Sequence, residues 1–363
     1  MTDIQRLKRL LIRLIDIYSP SGKEEEILSY LKGFLKRQGL TVTAQDVDEN
    51  RYNLVVAPES GEIRMALIGH LDTVSAYDLD HYSAVEKDGD IIGLGAADMK
   101  GGCAAMIEAF LTLRQSHGPN VPFALCLVVG EEETGDGAAQ LMKEFRFPWA
   151  LIGEPTNLVP CFKSYGYIES QINTVGKRQH ASLAGRRKNA VETLLGGLLR
   201  FTNHMEQKRP ELIYNIRDLF TPRAGFAVPE YSEAWIDIHV PPDLSIGEII
   251  TEIEDVMATK NEDTAAIALR FRTETIDAGY EIPLRGRRLD LIKGVFDDQG
   301  LAWAPDAFRS HSDANQIFSA GARPVILGPG QLEKAHAQDE SVSFDQVAQA
   351  ADLYLSLMKK IME

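Results

Sequence analysis

The apolar positions at the start of the chain recur at helical spacing. Leu7, Leu10, Leu11, Leu14, Ile15 and Tyr18 fall on one face and predict an amphipathic helix. Pro20 and the run Ser21-Gly22-Lys23-Glu24 read as a capping box. The box opens a second helix through Ile27, Leu31, Phe34 and Leu35, which stops at Gly39. β-type runs follow at 41–47, 53–57 and 64–69, and a helix begins near Lys100 with Met106, Phe110 and Leu113 on one side. An uninterrupted apolar strand at 123–129, a helix at 138–145 and a strand at 149–152 come next. Apolar strands alternating with helices predict an α/β layer around a covered, mainly parallel sheet.

The middle of the chain has a different rhythm. Residues 165–175 alternate as a half-buried strand, followed by a helix at 190–205, a strand at 234–240, a helix at 246–258 and a strand at 265–273. This segment predicts a small α+β domain inserted between about 164 and 274. The α/β pattern then resumes with a helix at 288–298, a strand at 324–327 and a last helix from Ser343. There is no internal repeat and no low-complexity tract.

Composition narrows the classes. A chain of 363 residues can bury two cores. The net charge of −15 argues against nucleic acid as a partner, because phosphate binding needs clustered Lys and Arg. The N-terminal helix carries charges throughout and lacks the apolar region of a signal peptide, and no apolar run is long enough to span a bilayer. Cys103, Cys126 and Cys161 form no CxxC pair and read as buried thiols, so the expected compartment is the reducing cytoplasm.

The candidate chemistry sits after the apolar strands, where open α/β sheets place their sites. His70-Leu71-Asp72 follows 64–69, Asp98 follows an apolar run at 91–94, and Glu131-Glu132-Glu133 follow 123–129. Glu154 follows 149–152, and His336 follows 324–327. Five strand ends are thus expected to converge on one rim. Singly, His70 reads as a core histidine, Asp98 as a helix cap and the Glu run as a solvated face. Jointly, three adjacent acids at the edge of a dry core are costly unless a cation compensates them. A mixed His and carboxylate set suits zinc and related divalent ions better than calcium. Two such ions sharing a carboxylate would activate a water and polarise an amide carbonyl, with a further acid carrying the proton.

The stretches GHLDTV (69–74), GLGAADMKGG (93–102), GEEETG (130–135), GEPT (153–156) and GPGQLEKAHAQDE (328–340) resemble, in order, the five motifs of the M20 metallopeptidases. That group includes acetylornithine and succinyl-diaminopimelate deacylases. The resemblance covers essentially the whole chain. It implies that Asp98 bridges two divalent ions, most simply Zn²⁺ with Co²⁺ or Mn²⁺ as substitutes. His70 and Glu154 would complete one site, and Glu133 and His336 the other. Asp72 would hold the second nitrogen of His70, and Glu132 would be the general base. Glu131 stands where relatives usually show Asp.

The resemblance also implies that the insert is a lid that dimerises. His180, in Gln179-His180-Ala181-Ser182, would reach the active site of the other copy and steady the oxyanion, with the next helix opening at Asn189-Ala190. Two departures bear on substrate. Phe226-Ala227-Val228-Pro229 replaces an Asn-containing segment, and His239 stands where relatives often carry an Arg that grips the substrate carboxylate. Arg309 reads either as its substitute or as a surface ion pair, and His311 as structural. The expected whole is α/β: a discontinuous catalytic domain, 1–163 and 275–363, with helices on both faces of a mixed, mainly parallel sheet, and an inserted ferredoxin-like α+β lid and dimerisation domain, 164–274. The expected substrate is a small N-acyl amino acid, N-acetylornithine or N-acetyl-lysine before other acyl amino acids and dipeptides, with no nucleic-acid or membrane partner and a homodimer built through the lid. The alternatives are a dipeptidase or carboxypeptidase of the same family, a hydrolase with one ion, and a binding protein that keeps the fold without catalysis.

Overall fold

The computed structural model describes residues 2–183, 189–258 and 267–363. In chain order the elements are α1 (Ile4–Ile15), α2 (Glu25–Arg37), β1 (Thr43–Asp46), β2 (Tyr52–Val56), β3 (Met65–His70), β4 (Val85–Lys87) and β5 (Asp90–Ile92). Next come α3 (Gly101–His117), β6 (Phe123–Val128), α4 (Asp136–Glu144), β7 (Trp149–Ile152), β8 (Cys161–Ser164) and β9 (Gly166–Val175). The chain continues with α5 (Ala190–Lys208), β10 (Ile213–Phe220), β11 (Tyr231–Val240), α6 (Ile246–Met257) and β12 (Leu269–Asp277). It ends with α7 (Arg287–Asp298), α8 (Asp313–Ser319), β13 (Arg323–Ile326), β14 (Ser341–Ser343) and α9 (Phe344–Met362). Two compact units result. One comprises the residues up to Phe162 with Ile282–Phe308 and Ser312–Glu363, the other Lys163–Glu281 with Arg309–His311.

The first unit is built on a mixed sheet of order β1-β2-β6-β3-β7-β13-β8. Its four central strands, β6, β3, β7 and β13, run parallel. β2, β1 and β8 join antiparallel at the flanks. Every residue of β3 and β6 is buried, which requires cover on both faces. Six of its helices fall into two packed groups, α1, α3, α7 and α9 in one and α4 with α8 in the other, while α2 packs on β2. α9 alone buries Val347, Leu353, Tyr354, Leu357 and Met358, each contributing roughly 1.5–3 kcal/mol by burial. One glycine is essential to the layering. A Cβ on Gly102 of α3 would lie 2.1 Å from the Gly153 carbonyl oxygen, so only glycine lets the helix approach the end of β7 this closely.

Two expectations change here. Ser21 does not cap α2: that helix starts at Glu25, its N-cap Glu24 makes no side-chain cap, and the Ser21 hydroxyl donates to Asp72 at 2.6 Å. A buried carboxylate is the stronger acceptor and wins the hydroxyl. The apolar run at 91–94 is not a strand of the main sheet. β5 belongs to a separate three-stranded sheet, β14-β5-β4, so four main-sheet strand ends, not five, face the rim.

The second unit is an antiparallel sheet of order β10-β11-β9-β12 with α5 and α6, connected β-α-β-β-α-β, which is the ferredoxin-like arrangement. Ile168 and Ile172 of β9, Ile236 and Ile238 of β11, and Leu194, Leu198, Phe201, Ile249 and Ile253 of the helices form its core. α5 opens with a capping box between Asn189 and Glu192. The strand expected at 265–273 is β12, with residues 265 and 266 outside the described ones. β10 has no counterpart in the hydropathy pattern because it is an edge strand, almost wholly exposed, and its register slips between Ile216 and Asp218.

Candidate metal centre

The four adjacent parallel strands deliver their C-terminal ends side by side. His70 is the last residue of β3, Glu131 and Glu132 follow β6, Glu154 follows β7, and His336 follows β13. Asp98 arrives separately, in the irregular turn Ala96–Lys100 between β5 and α3. Its carboxylate lies between the two imidazoles: Oδ1 is 3.1 Å from His70 Nε2, and Oδ2 is 3.5 Å from His336 Nε2. Around His70 Nε2 stand Glu131 Oε2 at 3.8 Å and Glu154 Oε2 at 3.9 Å. His336 Nε2 is 2.9 Å from Glu132 Oε2.

Asp72 works through the backbone. His70 Nδ1 lies 3.0 Å from the Asp72 carbonyl oxygen and 3.6 Å from its carboxylate. The carboxylate instead accepts from the N–H groups of Glu131 and Glu132, at 3.2 and 3.0 Å, and from Ser21. Those bonds set the register of the acidic run. Gly130 and Gly135 adopt left-handed conformations and close a tight turn, with Gly135 N donating to Gly130 O at 2.7 Å. Within that turn Glu131 and Glu132 face the cluster. Glu133 is exposed and lines a surface cavity with Ser21, Asp48 and Arg51. The pair presented to the centre is therefore Glu131 and Glu132, one residue earlier than the Glu132 and Glu133 expected from the motif.

The electrostatics are those of crowded acids. Burial pushes Glu131 and Glu154 well above the usual carboxylate range, and neighbouring carboxylates push the same way. Glu132 is raised by burial and by Asp98. Burial would also lift Asp98, but the hydrogen bond and charge of His70 hold it below the usual range. For His70, burial opposes protonation, yet Asp98, Glu154 and Glu131 outweigh it and raise the imidazole. His336 is raised to about 9, chiefly by its hydrogen bond to Glu132. Donor atoms of His70, Asp98 and Glu132 lie within 4.8 Å of one another, and Glu154 Oε1 is buried without a hydrogen-bond partner among the described residues. Four inward carboxylates, two imidazoles and an idle buried oxygen fit a divalent cation of the zinc type.

The remaining predicted residues lie in the second unit. His180 is exposed, with Nδ1 2.8 Å from Ser182 Oγ. His239 Nε2 is 3.6 Å from Asp237 Oδ2. The His311 ring stacks on Tyr167 with centroids 4.0 Å apart, and burial holds its pKa down to about 4. Phe226 is almost fully exposed at 89%, and Arg309 is exposed as well. Among the described residues no helix is long and apolar enough to cross a membrane.

The chain is similar to known proteins over most of its length. Residues 66–360 match the family model described as peptidase family M20/M25/M40. A probable succinyl-diaminopimelate desuccinylase of Staphylococcus epidermidis is 32% identical, with 98% of this chain and 97% of the relative covered. The acetylornithine deacetylase of Edwardsiella ictaluri is 28% identical over 97% and 96% of the two chains. Among solved structures, a tripeptidase from Staphylococcus aureus superposes with a TM-score of 0.83 at 22% identity, covering 99% of this chain and 98% of that one. Taken with the strand-end cluster of histidines and acids, the match places the chain in the M20/M25/M40 family of metal-dependent hydrolases.

Proposed function

We propose that the protein removes the acyl group from a small N-acyl amino acid, with N-acetylornithine and N-acetyl-lysine as first candidates. The observation that carries the reading is the position of Asp98 between His70 and His336, with a buried glutamate in excess of those needed as ligands. His70, Asp98 and Glu154 would hold one divalent ion, and Asp98, Glu132 and His336 the other, with Zn²⁺ best suited to this donor set. Bound ions would supply Lewis acidity, polarising the acyl carbonyl and lowering the pKa of the attacking water.

Glu131 is the proposed general base. It is largely buried beside His70, outside the two ligand sets just named, and its backbone N–H donates to Asp72. It takes a proton from water as the oxygen attacks the acyl carbon. When the C–N bond breaks, it returns that proton to the departing amine, leaving a carboxylate and a free amino group. His180, exposed on the inserted unit, would donate to the oxyanion from a second copy of the chain. The apolar side chains of Leu195 and Leu199 on α5 and Leu219 and Phe220 on β10 are exposed, which favours pairing of two copies through this unit.

Deacylation stands ahead of dipeptide cleavage because relatives at 28% and 32% identity over nearly full length carry deacylase names. A binding protein without catalysis would have no use for the largely buried Glu131. The test is amine release by Zn²⁺- or Co²⁺-loaded protein from N-acetylornithine, N-acetyl-lysine, N-acetylcitrulline, N-succinyl-diaminopimelate and a few dipeptides. Turnover of an acyl amino acid, abolished by chelation, is expected. Silence on every compound with metal bound would overturn the reading, and cleavage of dipeptides alone would move it to peptidase.

A further inference from the structure

We propose that Glu340 is the positioning residue of this centre, clamping the turn that carries Asp98 onto the segment that carries His336 and thereby setting metal affinity. The inference rests on the metal-centre reading above. Glu340 is 2% exposed and sits four residues after His336, immediately before β14. Its Oε2 accepts from Gly95 N at 2.9 Å, and its Oε1 accepts from both Ala97 N and Asp98 N at 2.9 Å. Its backbone carbonyl accepts from Gly93 N, also at 2.9 Å. Pairing of Ser341 with Ile92 continues the same junction into β14 and β5.

The turn needs such an anchor. Asp98 comes from no main-sheet strand, and the residues around it lack regular geometry, with Asp98 and Met99 in non-helical conformations. Their N–H groups have no ladder to join, so a carboxylate supplies the acceptors. Gly95 is left-handed, and a Cβ there would lie 2.7 Å from Thr73 and 3.1 Å from Lys100, so the turn approaches both neighbours tightly. Lys100, buried one turn on, donates to Ile17 O at 2.9 Å, and its charge attracts Glu340. With both oxygens committed to N–H groups, Glu340 is no ligand itself. It fixes where the shared Asp98 carboxylate lies relative to His336.

Glu340→Gln keeps the volume but turns one oxygen into a donor that faces an N–H group. Loss of such supporting contacts typically weakens metal binding 10- to 100-fold. The experiment is calorimetric titration of Zn²⁺ into the metal-stripped full chain, at a temperature where each variant is folded by circular dichroism. Leu31→Ala, a buried change on α2 away from the centre, controls for destabilisation. The expected result is a tenfold or greater rise in Kd for Glu340→Gln with Leu31→Ala unchanged. Equal affinity of wild type and Glu340→Gln overturns the proposal while leaving the metal centre intact. Wild type that binds no Zn²⁺ removes both. Should Glu340→Gln fail to fold, Glu340→Asp keeps the charge but is one methylene too short to reach Gly95, Ala97 and Asp98 together. It should bind more weakly than wild type, and wild-type affinity in it would be equally fatal.

Discussion

Replacing each of three consecutive glutamates by glutamine separates the register seen in the structure from the one suggested by the motif. Glu131 and Glu132 have side chains exposed by only 12% and 6%, whereas Glu133 points to solvent. Glu131→Gln removes the proposed base, which costs roughly 10²–10⁴ in kcat, or about 3–5 kcal/mol of barrier. Zn²⁺ stoichiometry should survive. Glu132→Gln removes a ligand, so both metal affinity and turnover should fall. Glu133→Gln changes an exposed side chain and should stay within about 0.5 kcal/mol of wild type in stability, with near-normal kcat. The metal-free proteins add a second signature. Glu131 is held above the usual carboxylate range by burial and by neighbouring acids. Neutralising it should therefore stabilise metal-free protein by about 1–3 kcal/mol in urea unfolding, while activity collapses. A Glu133→Gln variant that loses catalysis or metal, beside a Glu131→Gln variant that keeps both, would refute the reasoning.

Three further outcomes follow from other parts of the fold. Gly102→Ala drives a methyl group into the Gly153 backbone at 2.1 Å, where no flexible side chain can give way. It should cost about 3 kcal/mol and lower Tm by roughly 5 °C, and a wild-type melting curve would contradict the close approach of α3 to β7. His311 has its pKa depressed from 6.5 to about 4 by burial, so below pH 6.5 the unfolded chain binds the proton first and stability falls as pH drops toward 4. Between pH 7.5 and 5.5 this amounts to about 1 kcal/mol, which His311→Phe should abolish in urea titrations at the two pH values. Cys103, Cys126 and Cys161 are buried, with thiols pushed to about 12 by burial. A thiol-specific disulfide reagent at pH 8 should react with none of them in the native protein and all three in denaturant.

Much of this architecture was readable from residue patterns because the relevant signals are local. The uninterrupted apolar run of β6 could only be a covered strand, and the acids directly after it marked a site. The insert was legible for the same reason, since its strands alternate and its helices carry apolar stripes. β10 was not, because an exposed edge strand with a register slip has no buried face to impose alternation. The capping-box reading of Ser21 failed because its competitor, the Asp72 carboxylate, is 51 residues away in sequence. Three consecutive glutamates look alike in one dimension. Which two face inward is decided by two left-handed glycines and by the hydrogen bonds of Asp72, and those exist only in the folded turn. Glu340 closes the GPGQLEKAHAQDE stretch, but its hold on the Asp98 turn is not readable there, since its partners are backbone N–H groups.

The ends of β3, β6, β7 and β13, together with the Asp98 turn, are proposed to hold divalent ions for amide hydrolysis. Anomalous diffraction at the zinc edge from crystals of the Zn²⁺-loaded protein tests it most directly. Two peaks flanking Asp98 are expected, one beside His70 and Glu154 and the other beside Glu132 and His336, with Glu133 bound to neither. Peaks elsewhere, or a peak ligated by Glu133 with Glu132 left free, would contradict it.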